Sequence, residues 1–286
     1  MRDNTRKRVP RGSALGPGRV LLLAAALGLG GIATSSGDPT PPPSASPITE
    51  AIIGEAGEPT PEISTAEMVR LVAGRSGLII DARPYEEFAV SHIPGAVTVA
   101  PKPGLAMSQY TSDVGGIDKL TRGDKAAMII LYCNGPFCVK SKRVAADLVA
   151  AGYTNVRRYQ LGIPVWRALG HATQFEAEAI WSTLDKDKTA VVIDSREPEV
   201  LGKETLTAIV GARHIRSGEV ATAKDDGRLP TLDHNTRIFV IGKGETEARA
   251  VAEEIARNAF HNVSFFAGSI QTLQQNRGRS GTAGSR

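Results

Sequence analysis

Short continuous apolar runs recur along the chain, and each is followed by a stretch in which apolar residues recur at helical spacing. The clearest runs lie at 78–80, 127–132, 191–193 and 238–241. A short apolar run rich in β-favouring residues predicts a strand that is buried on both faces. Strands that alternate with amphipathic helices predict an α/β fold, in which each small, mainly parallel sheet has helices on both faces.

Three helix positions follow from the pattern. The segment 141–152 places its apolar residues on one face and ends at Gly152, which predicts a helix with a glycine stop. The sequence Ser-Thr-Ala-Glu at 64–67 is a capping box, which predicts the start of the first helix. The segment 175–184 is its predicted counterpart in the second half of the chain.

The same order of landmarks occurs twice: a strand that ends in Asp-x-Arg, a turn, a strand with a loop and helix, Asn-Val, and an apolar residue before glycine. The third landmark begins with the runs at 127–132 and 238–241, and the other four lie at 78–84, 92–97, 155–156 and 161–162 in the first half and at 191–198, 209–212, 262–263 and 267–268 in the second. An internal repeat of this kind predicts two domains of one architecture. We place the domains at 63–173 and 174–275.

The first 33 residues have the pattern of an export signal. A basic stretch precedes the apolar run 20–33, which is shorter than the roughly 20 residues of a membrane span. We therefore predict a signal peptide or an uncleaved membrane anchor at 1–33, and an exported, periplasmic or extracytoplasmic location. A Pro/Ser-rich linker is predicted at 34–62 and a disordered Gly/Ser/Arg tail at 276–286.

The net charge of +4 does not indicate a nucleic-acid partner. Residues 1–19 alone carry a net charge of +5, so the remainder of the chain has a net charge of −1. No basic stripe with interleaved aromatic residues is visible in the sequence. The predicted partners are small molecules, with the N-terminal segment as a membrane tether in the anchor alternative.

Both cysteines of the chain, Cys133 and Cys138, lie between the strand predicted at 127–132 and the helix predicted at 141–152. A cysteine at a strand end that faces a helix N-terminus meets unpaired backbone N–H groups and the positive end of the helix dipole. Such a setting lowers the pKa of a thiol and binds anions. The loop is therefore the predicted reactive site.

The landmarks resemble the rhodanese family of sulfurtransferases. The resemblance lies in Asp-x-Arg at 81–83 with His-Ile-Pro-Gly-Ala at 92–96, and in Tyr-Cys at 132–133 with the segment from Gly162 to Trp166. It implies tandem rhodanese-like domains. It also implies that Cys133 is the nucleophile, which takes sulfane sulfur from a donor such as thiosulfate and passes it to a thiol or cyanide acceptor. No cofactor and no metal are expected.

By the same resemblance, the backbone amides of the loop bind the donor anion, except at Pro136. The residues predicted to bind substrate are Asn134, Gly135, Phe137, Cys138, Val139 and Lys140. Lys140, Lys142 and Arg143 either steer an anionic donor or are solvated charges on the first helical turn. Asp81 and Arg83 are expected to fix the strand-end loop, and His92 to stabilise its turn.

The loop departs from the usual family pattern in two ways. Cys133 stands two residues earlier than expected relative to Ser141, although the form Cys-x-Gly-Pro-x-Cys is similar to that of some other members. Related phosphatases have longer loops of the form Cys-x5-Arg, but position 139 is Val, so the guanidinium that binds phosphate is missing. A phosphatase function is therefore disfavoured.

Cys138 admits three interpretations. It resolves a Cys133 persulfide, it forms a disulfide with Cys133 in a non-catalytic binding or redox-sensing module, or it is an unpaired loop residue. The second domain has Gly242 where the first has its cysteine, and Ala208 and Val210 where the first has the His and Pro of its turn. The second domain is therefore predicted to be catalytically silent.

Overall fold

The computed structural model describes residues 48–109, 111–196, 209 and 211–282. The predicted export segment at 1–33 lies outside these residues, as do Ala208 and Val210. No helix in the described residues is long and apolar enough to cross a bilayer.

Four parallel strands form the sheet of the first half, in the spatial order β2-β1-β3-β4. They are β1 (Leu78–Asp81), β2 (Val97–Thr98), β3 (Ile129–Tyr132) and β4 (Val156–Tyr159). In the register of this sheet, Tyr132 pairs with both Asp81 and Tyr159. The carboxyl ends of β1, β3 and β4 therefore meet at one edge, and Cys133 follows β3 at that edge.

Five parallel strands form the sheet of the second half, in the spatial order β5-β9-β8-β6-β7. They are β5 (Thr173–Phe175), β6 (Val191–Asp194), β7 (Arg213–His214), β8 (Ile238–Ile241) and β9 (Val263–Phe266). Both sheets are parallel, as the continuous apolar runs predict.

The described helices fall between and after these strands. They are α1 (Thr65–Gly74), α2 (Tyr85–Val90), α3 (Asp113–Thr121), α4 (Val139–Ala150), α5 (Gly162–Ala168), α6 (Ala177–Lys186), α7 (Val220–Asp225), α8 (Glu245–Arg257) and α9 (Ile270–Thr282), with a short 3-10 turn at Met107–Gln109. Ser64 caps α1 by accepting a 3.2 Å hydrogen bond from the amide of Glu67. The capping box thus marks the start of α1 as predicted.

Helices cover both faces of the first sheet. Ile130 of β3 packs in the core that α1 and α5 share, whereas Ile129 and Leu131 pack on the opposite side with α3 and α4. All three side chains are fully buried. The predicted α/β class, with a parallel sheet in each half of the chain, is confirmed.

Two helices are displaced from their predicted positions. Helix α4 begins at Val139, two residues earlier than expected, because the cysteine loop closes at Cys138. Helix α6 begins at Ala177 because Phe175 belongs to β5, where it is buried and pairs with Phe266.

The predicted linker is wrong for residues 55–62, which pack on the first sheet. The backbone of Pro61 accepts a 2.9 Å hydrogen bond from the amide of Arg158 on β4. The guanidinium of Arg158 is buried and lies 3.1 Å from Glu55 and 3.7 Å from Glu62. A buried arginine requires such carboxylates, so this segment is part of the domain.

The predicted disordered tail is also wrong for residues 276–282, because α9 continues to Thr282. Trp181 donates a 3.1 Å hydrogen bond from its indole to the carbonyl of Leu273, and Arg277 lies 5.1 Å above the Trp181 ring. These contacts hold the helix against α6.

The two halves belong to one compact unit, Ala45–Arg286. His92 and Gln174 exchange two backbone hydrogen bonds of 2.8 Å, and the amide of Glu176 donates to the carbonyl of Ala89 at 2.7 Å. The turn at His92 therefore joins the first half to the edge of the second sheet.

Candidate active site

The cysteine loop occupies the six residues from 133 to 138, between β3 and α4. Cys133 is 4% exposed, and its carbonyl accepts a 3.1 Å hydrogen bond from the amide of Ile163 at the start of α5. Gln160 donates a 3.2 Å hydrogen bond to the carbonyl of Pro136. The loop is therefore supported by the segment that follows β4.

Close backbone packing fixes the base of the loop. Gly162 has a φ of +68°, and a Cβ built on it would lie 2.5 Å from the amide nitrogen of Gly135. Gly135 itself has a φ of +96°. Both positions need glycine, since a side chain at 162 would meet the loop backbone and positive φ is unfavourable for other residues.

Cys133 and Cys138 form a disulfide, with their Cα atoms 6.1 Å apart. No free cysteine remains in the described chain, so an unpaired Cys138 is contradicted for this form. A disulfide sulfur is not a thiolate, and the nucleophile predicted at Cys133 exists only after reduction.

The backbone donors of the loop are fewer than predicted. The amide of Cys138 donates a 3.1 Å hydrogen bond to the carbonyl of Gly135, which removes it from the predicted anion cradle. Cys138 is the N-cap of α4, and Val139 and Lys140 open its first turn. The first amides of a helix have no intrahelical acceptor, so these two remain candidates for anion binding.

Two of the side chains that were predicted to bind substrate are largely exposed to solvent. Phe137 is 98% exposed and Val139 is 73% exposed, so neither lines an enclosed pocket with its side chain. Asn134 donates a 2.7 Å hydrogen bond to the carboxylate of Glu87. Glu87 lies in α2, four residues after Arg83, and this hydrogen bond places it beside the loop.

The cations near α4 are not equivalent. Lys142 forms an ion pair with Glu55, and Arg143 lies 3.7 Å from Asp113. Lys140 has no carboxylate within 4.0 Å among the described residues. Of the three cations considered, Lys140 is therefore the one available to attract an anionic donor.

Asp81 and Arg83 form a buried bidentate pair beneath the loop. The Nε of Arg83 lies 2.9 Å from Asp81, and its Nη2 also donates to the carbonyl of Ser91 at 2.5 Å. Burial disfavours the charged form of Arg83, but the hydrogen bonds and charge of Asp81 outweigh it and raise the pKa of Arg83. This pair fixes the backbone between β1 and the turn.

Tyr132 completes this network, a role that was not predicted from the sequence. Its hydroxyl donates a 2.6 Å hydrogen bond to Asp81 and accepts one of 3.0 Å from the amide of Ile93. Burial, followed by the charge of Asp81, raises the pKa of Tyr132 well above its usual value. The role of Tyr132 could have been predicted from its position, because it ends a strand that pairs with the Asp-x-Arg strand.

His92 is buried at the contact between the halves. Its Nδ1 lies 2.8 Å from the carbonyl of Phe88, and its ring stacks on that of Phe88 with centroids 4.0 Å apart. Burial lowers the pKa of His92 to about 4, so the ring is neutral at pH 7. Its contacts are those of a packed turn residue.

The second half repeats the supporting pair without the reactive loop. Asp194 and Arg196 form a buried bidentate pair like that of the first half. Only residues 242–244 separate β8 from α8. A Cβ on Gly242 would lie 2.7 Å from the Ser195 hydroxyl and 3.0 Å from the amide of Ala248, so a side chain at this position would require these neighbours to shift.

Metal ligands do not converge in the described part of the chain. No group of three or more His, Cys, Asp or Glu side chains is arranged to hold a metal ion there.

Comparison with known proteins identifies the family to which this architecture belongs. The family model of the rhodanese-like domain matches residues 64–169 and 176–276, together more than half of the chain. The chain belongs to the family of proteins with rhodanese-like domains. Both halves therefore carry the family fold, as the internal repeat predicted.

Similar proteins extend over different parts of the chain. This chain is 34% identical over 95 residues to the HTH-type transcriptional regulator Rv0324 of Mycobacterium tuberculosis, and the match covers 35% of the length of that regulator. The crystal structure of a thiosulfate sulfurtransferase from Pseudomonas aeruginosa is 18% identical with a TM-score of 0.30, over 77% of this chain and 42% of that one. The structure of the BH2092 protein from Bacillus halodurans is 23% identical with a TM-score of 0.33. The match covers 45% of this chain and 90% of that one.

Proposed function

We propose that the protein is a sulfurtransferase in which Cys133 carries sulfane sulfur from a donor such as thiosulfate to a thiol or cyanide acceptor. One observation carries the proposal: Cys133 lies directly after β3, on a loop that ends in the first turn of α4. Such a helix N-terminus stabilises a thiolate and an anionic donor together. The corresponding position of the second half is Gly242, which has no reactive group.

The reaction begins with reduced Cys133. Its thiolate attacks the outer sulfur of thiosulfate, the S–S bond of the donor breaks, and sulfite leaves with the electron pair. The enzyme then carries a persulfide. A thiolate or cyanide attacks the terminal sulfur of that persulfide, and the Cys133 thiolate is the leaving group. The amides of Val139 and Lys140, with the Lys140 ammonium, are the groups proposed to bind the donor.

Cys138 is proposed to resolve the persulfide. Its thiolate attacks the sulfur atom of Cys133, which releases hydrosulfide and forms the disulfide that the structure contains. A dithiol reductant then opens this disulfide by two exchanges, and both cysteines return to the thiol form. Cys138 thus couples sulfur release to the supply of a reductant.

The disulfide also favours a second candidate function. A module whose Cys133–Cys138 bond responds to the redox state of its compartment needs no donor and no turnover. In either case we propose an exported, periplasmic or extracytoplasmic protein, on the basis of the basic and apolar pattern of 1–33. Its proposed partners are small molecules and not nucleic acids.

Production of thiocyanate from thiosulfate and cyanide separates the two candidates. We expect the reduced wild-type protein to be active and the Cys133→Ala variant to be inactive. A Cys138→Ser variant is the matched control, since it changes the other cysteine and leaves the nucleophile in place. Activity that survives Cys133→Ala, or a reduced wild-type protein with no activity, would exclude the sulfurtransferase proposal for this donor.

A further inference from the structure

The two cysteines of the loop disulfide differ in their exposure to solvent. Cys133 is 4% exposed, whereas Cys138 is partly exposed. A thiolate opens a disulfide by attacking one of its sulfur atoms directly, so access decides which sulfur is attacked. Cys138 is therefore the cysteine that is favoured for attack.

Apolar side chains flank Cys138 on both sides. Phe137 is 98% exposed and Val139 is 73% exposed, and Phe137 is the one aromatic residue among the exposed large hydrophobic residues of the described chain. The hydrogen bonds from Ile163 and Gln160 to carbonyls of the loop support the backbone that presents them. Aromatic side chains contribute much of the contact energy in protein interfaces.

More apolar surface adjoins the start of α4. Glu55 forms an ion pair with Lys142, which lies four residues after Cys138. Ile52 and Ile53, shortly before Glu55, are 50% and 41% exposed. A cluster of exposed apolar side chains beside a reactive group favours contact with another protein, whereas single exposed apolar residues are ordinary.

The charges near Cys138 suit an anionic nucleophile. Lys140 lies in the first turn of α4 and has no carboxylate within 4.0 Å among the residues that the structure describes. Glu87, a carboxylate that contacts the loop, is already paired with Asn134 and Arg83. The Lys140 ammonium therefore attracts a thiolate towards the cysteine two residues before it.

We propose that Phe137, Cys138 and Val139 form the docking surface of a protein dithiol, which reduces the disulfide by attacking Cys138. The first thiolate of the partner bonds to the sulfur of Cys138, the Cys133–Cys138 bond breaks, and Cys133 leaves with the electron pair as a thiolate. The second thiolate of the partner then attacks the partner's own sulfur in this mixed disulfide and releases Cys138 as a thiolate. The partner leaves oxidised to a disulfide, and the loop has gained two electrons.

This inference goes beyond the proposed function. Both candidate functions need the disulfide to be reopened, and neither specifies whether the reductant is a small molecule or a protein. The apolar surface around Cys138 favours a protein, since a small dithiol needs no docking surface.

Reduced thioredoxin is a suitable probe, because it is a protein with a Cys-x-x-Cys dithiol and a low reduction potential. It is added to the oxidised protein, and the disulfide that remains is measured by mass spectrometry after alkylation of free thiols. We expect Phe137→Ser to lower the rate constant for reduction by thioredoxin about tenfold and to leave reduction by dithiothreitol unchanged. Leu232→Ser, which removes an equally exposed apolar side chain from the second half, should match the wild type with both dithiols.

Three results would exclude the docking surface. They are an equal loss of rate with both dithiols in Phe137→Ser, no loss with thioredoxin, and a wild-type disulfide that thioredoxin does not reduce.

A thioredoxin variant with serine in place of its second reactive cysteine tests the site of attack, because the exchange then stops at the mixed disulfide. The free thiol that remains in the loop is alkylated, and the fragment masses of the linked peptide assign each cysteine. We expect thioredoxin on Cys138 and the alkyl label on Cys133, and the reverse assignment would contradict attack at Cys138. Neither readout uses sulfur transfer, so a protein without sulfurtransferase activity can still give both expected results.

Discussion

The carbonyl of Cys133 accepts a hydrogen bond from the amide of Ile163, so the start of α5 holds the base of the reactive loop. Gly162 makes this approach feasible, because it has no side chain at the point where α5 meets Gly135. The position of Cys133 therefore depends on residues that lie about thirty positions further along the chain.

A Gly162→Ala substitution tests this dependence. The positive φ at 162 costs an alanine about 1–2 kcal/mol, and the clash with the loop backbone adds about 1–3 kcal/mol. We expect a lower free energy of unfolding in urea and a loss of most sulfur-transfer activity. Gly152→Ala is the control, since Gly152 has a φ of +87° and nothing within 4 Å of an added Cβ. Equal losses in both variants would show that the contact with Gly135 is unimportant.

The hydroxyl of Tyr132 is expected to stabilise the buried network beneath the loop. Tyr132→Phe leaves the amide of Ile93 without its acceptor and removes one donor from Asp81, which should cost about 1–3 kcal/mol. Tyr159→Phe removes a single neutral hydrogen bond to Thr65 and should cost about 0.5–1.5 kcal/mol. Urea unfolding measures the loss of free energy of unfolding in each variant. A smaller loss for Tyr132→Phe than for Tyr159→Phe would contradict a stabilising role of the network.

Stability is expected to fall in mild acid because of His92. Its pKa in the folded protein is about 4, below the ordinary value of 6.5, so the unfolded chain binds a proton first as the pH drops. The free energy of unfolding should therefore decrease from about pH 6.5 to about pH 4, by at most about 3 kcal/mol.

Substitution of His92 isolates this contribution. Burial also lowers the pKa of His171. This residue therefore changes the stability in the same direction as the pH falls, and it remains in a His92→Gln variant. Glu176 lies 3.8 Å from the His92 ring, and burial raises the pKa of its carboxyl, which acts in the opposite direction. Urea unfolding across this pH range should give a shallower slope for His92→Gln. An unchanged slope would mean that His92 is not the buried base responsible.

The redox state of the loop is expected to control activity. Oxidised wild-type protein has no thiolate at Cys133 and should show almost no sulfur transfer until a dithiol is added. Cys138→Ser cannot form the disulfide and should be active without the dithiol. The thiocyanate assay, with and without reductant, gives the comparison. If the oxidised wild-type protein is as active as Cys138→Ser without reductant, the disulfide does not block the nucleophile.

Local patterns predicted much of the fold. The apolar runs at 129–132 and 238–241 are central strands, since a strand buried on both faces needs continuous apolar residues. The capping box of α1 and the position of Cys133 at a strand end also follow from neighbouring residues. β5 was missed because it has three residues, too few for a pattern to separate it from the helix that follows.

Long-range partners explain what the sequence did not predict. Glu55 was assigned to a linker, but it contacts Arg158, which lies 103 residues away. The pairing of Asn134 with Glu87 likewise depends on tertiary packing. Such contacts leave no spacing signal along the chain, whereas Tyr132 could have been found from its register with Asp81.

Mass spectrometry of the Cys133 peptide tests the central claim most directly. The reduced Cys138→Ser protein is incubated with thiosulfate, freed of excess donor and digested without reductant. We expect the peptide that contains Cys133 to gain the mass of one sulfur atom and to lose it when cyanide is added. A Cys133 peptide of unchanged mass, in a protein that is folded and fully reduced, would contradict the assignment of Cys133 as a sulfur carrier.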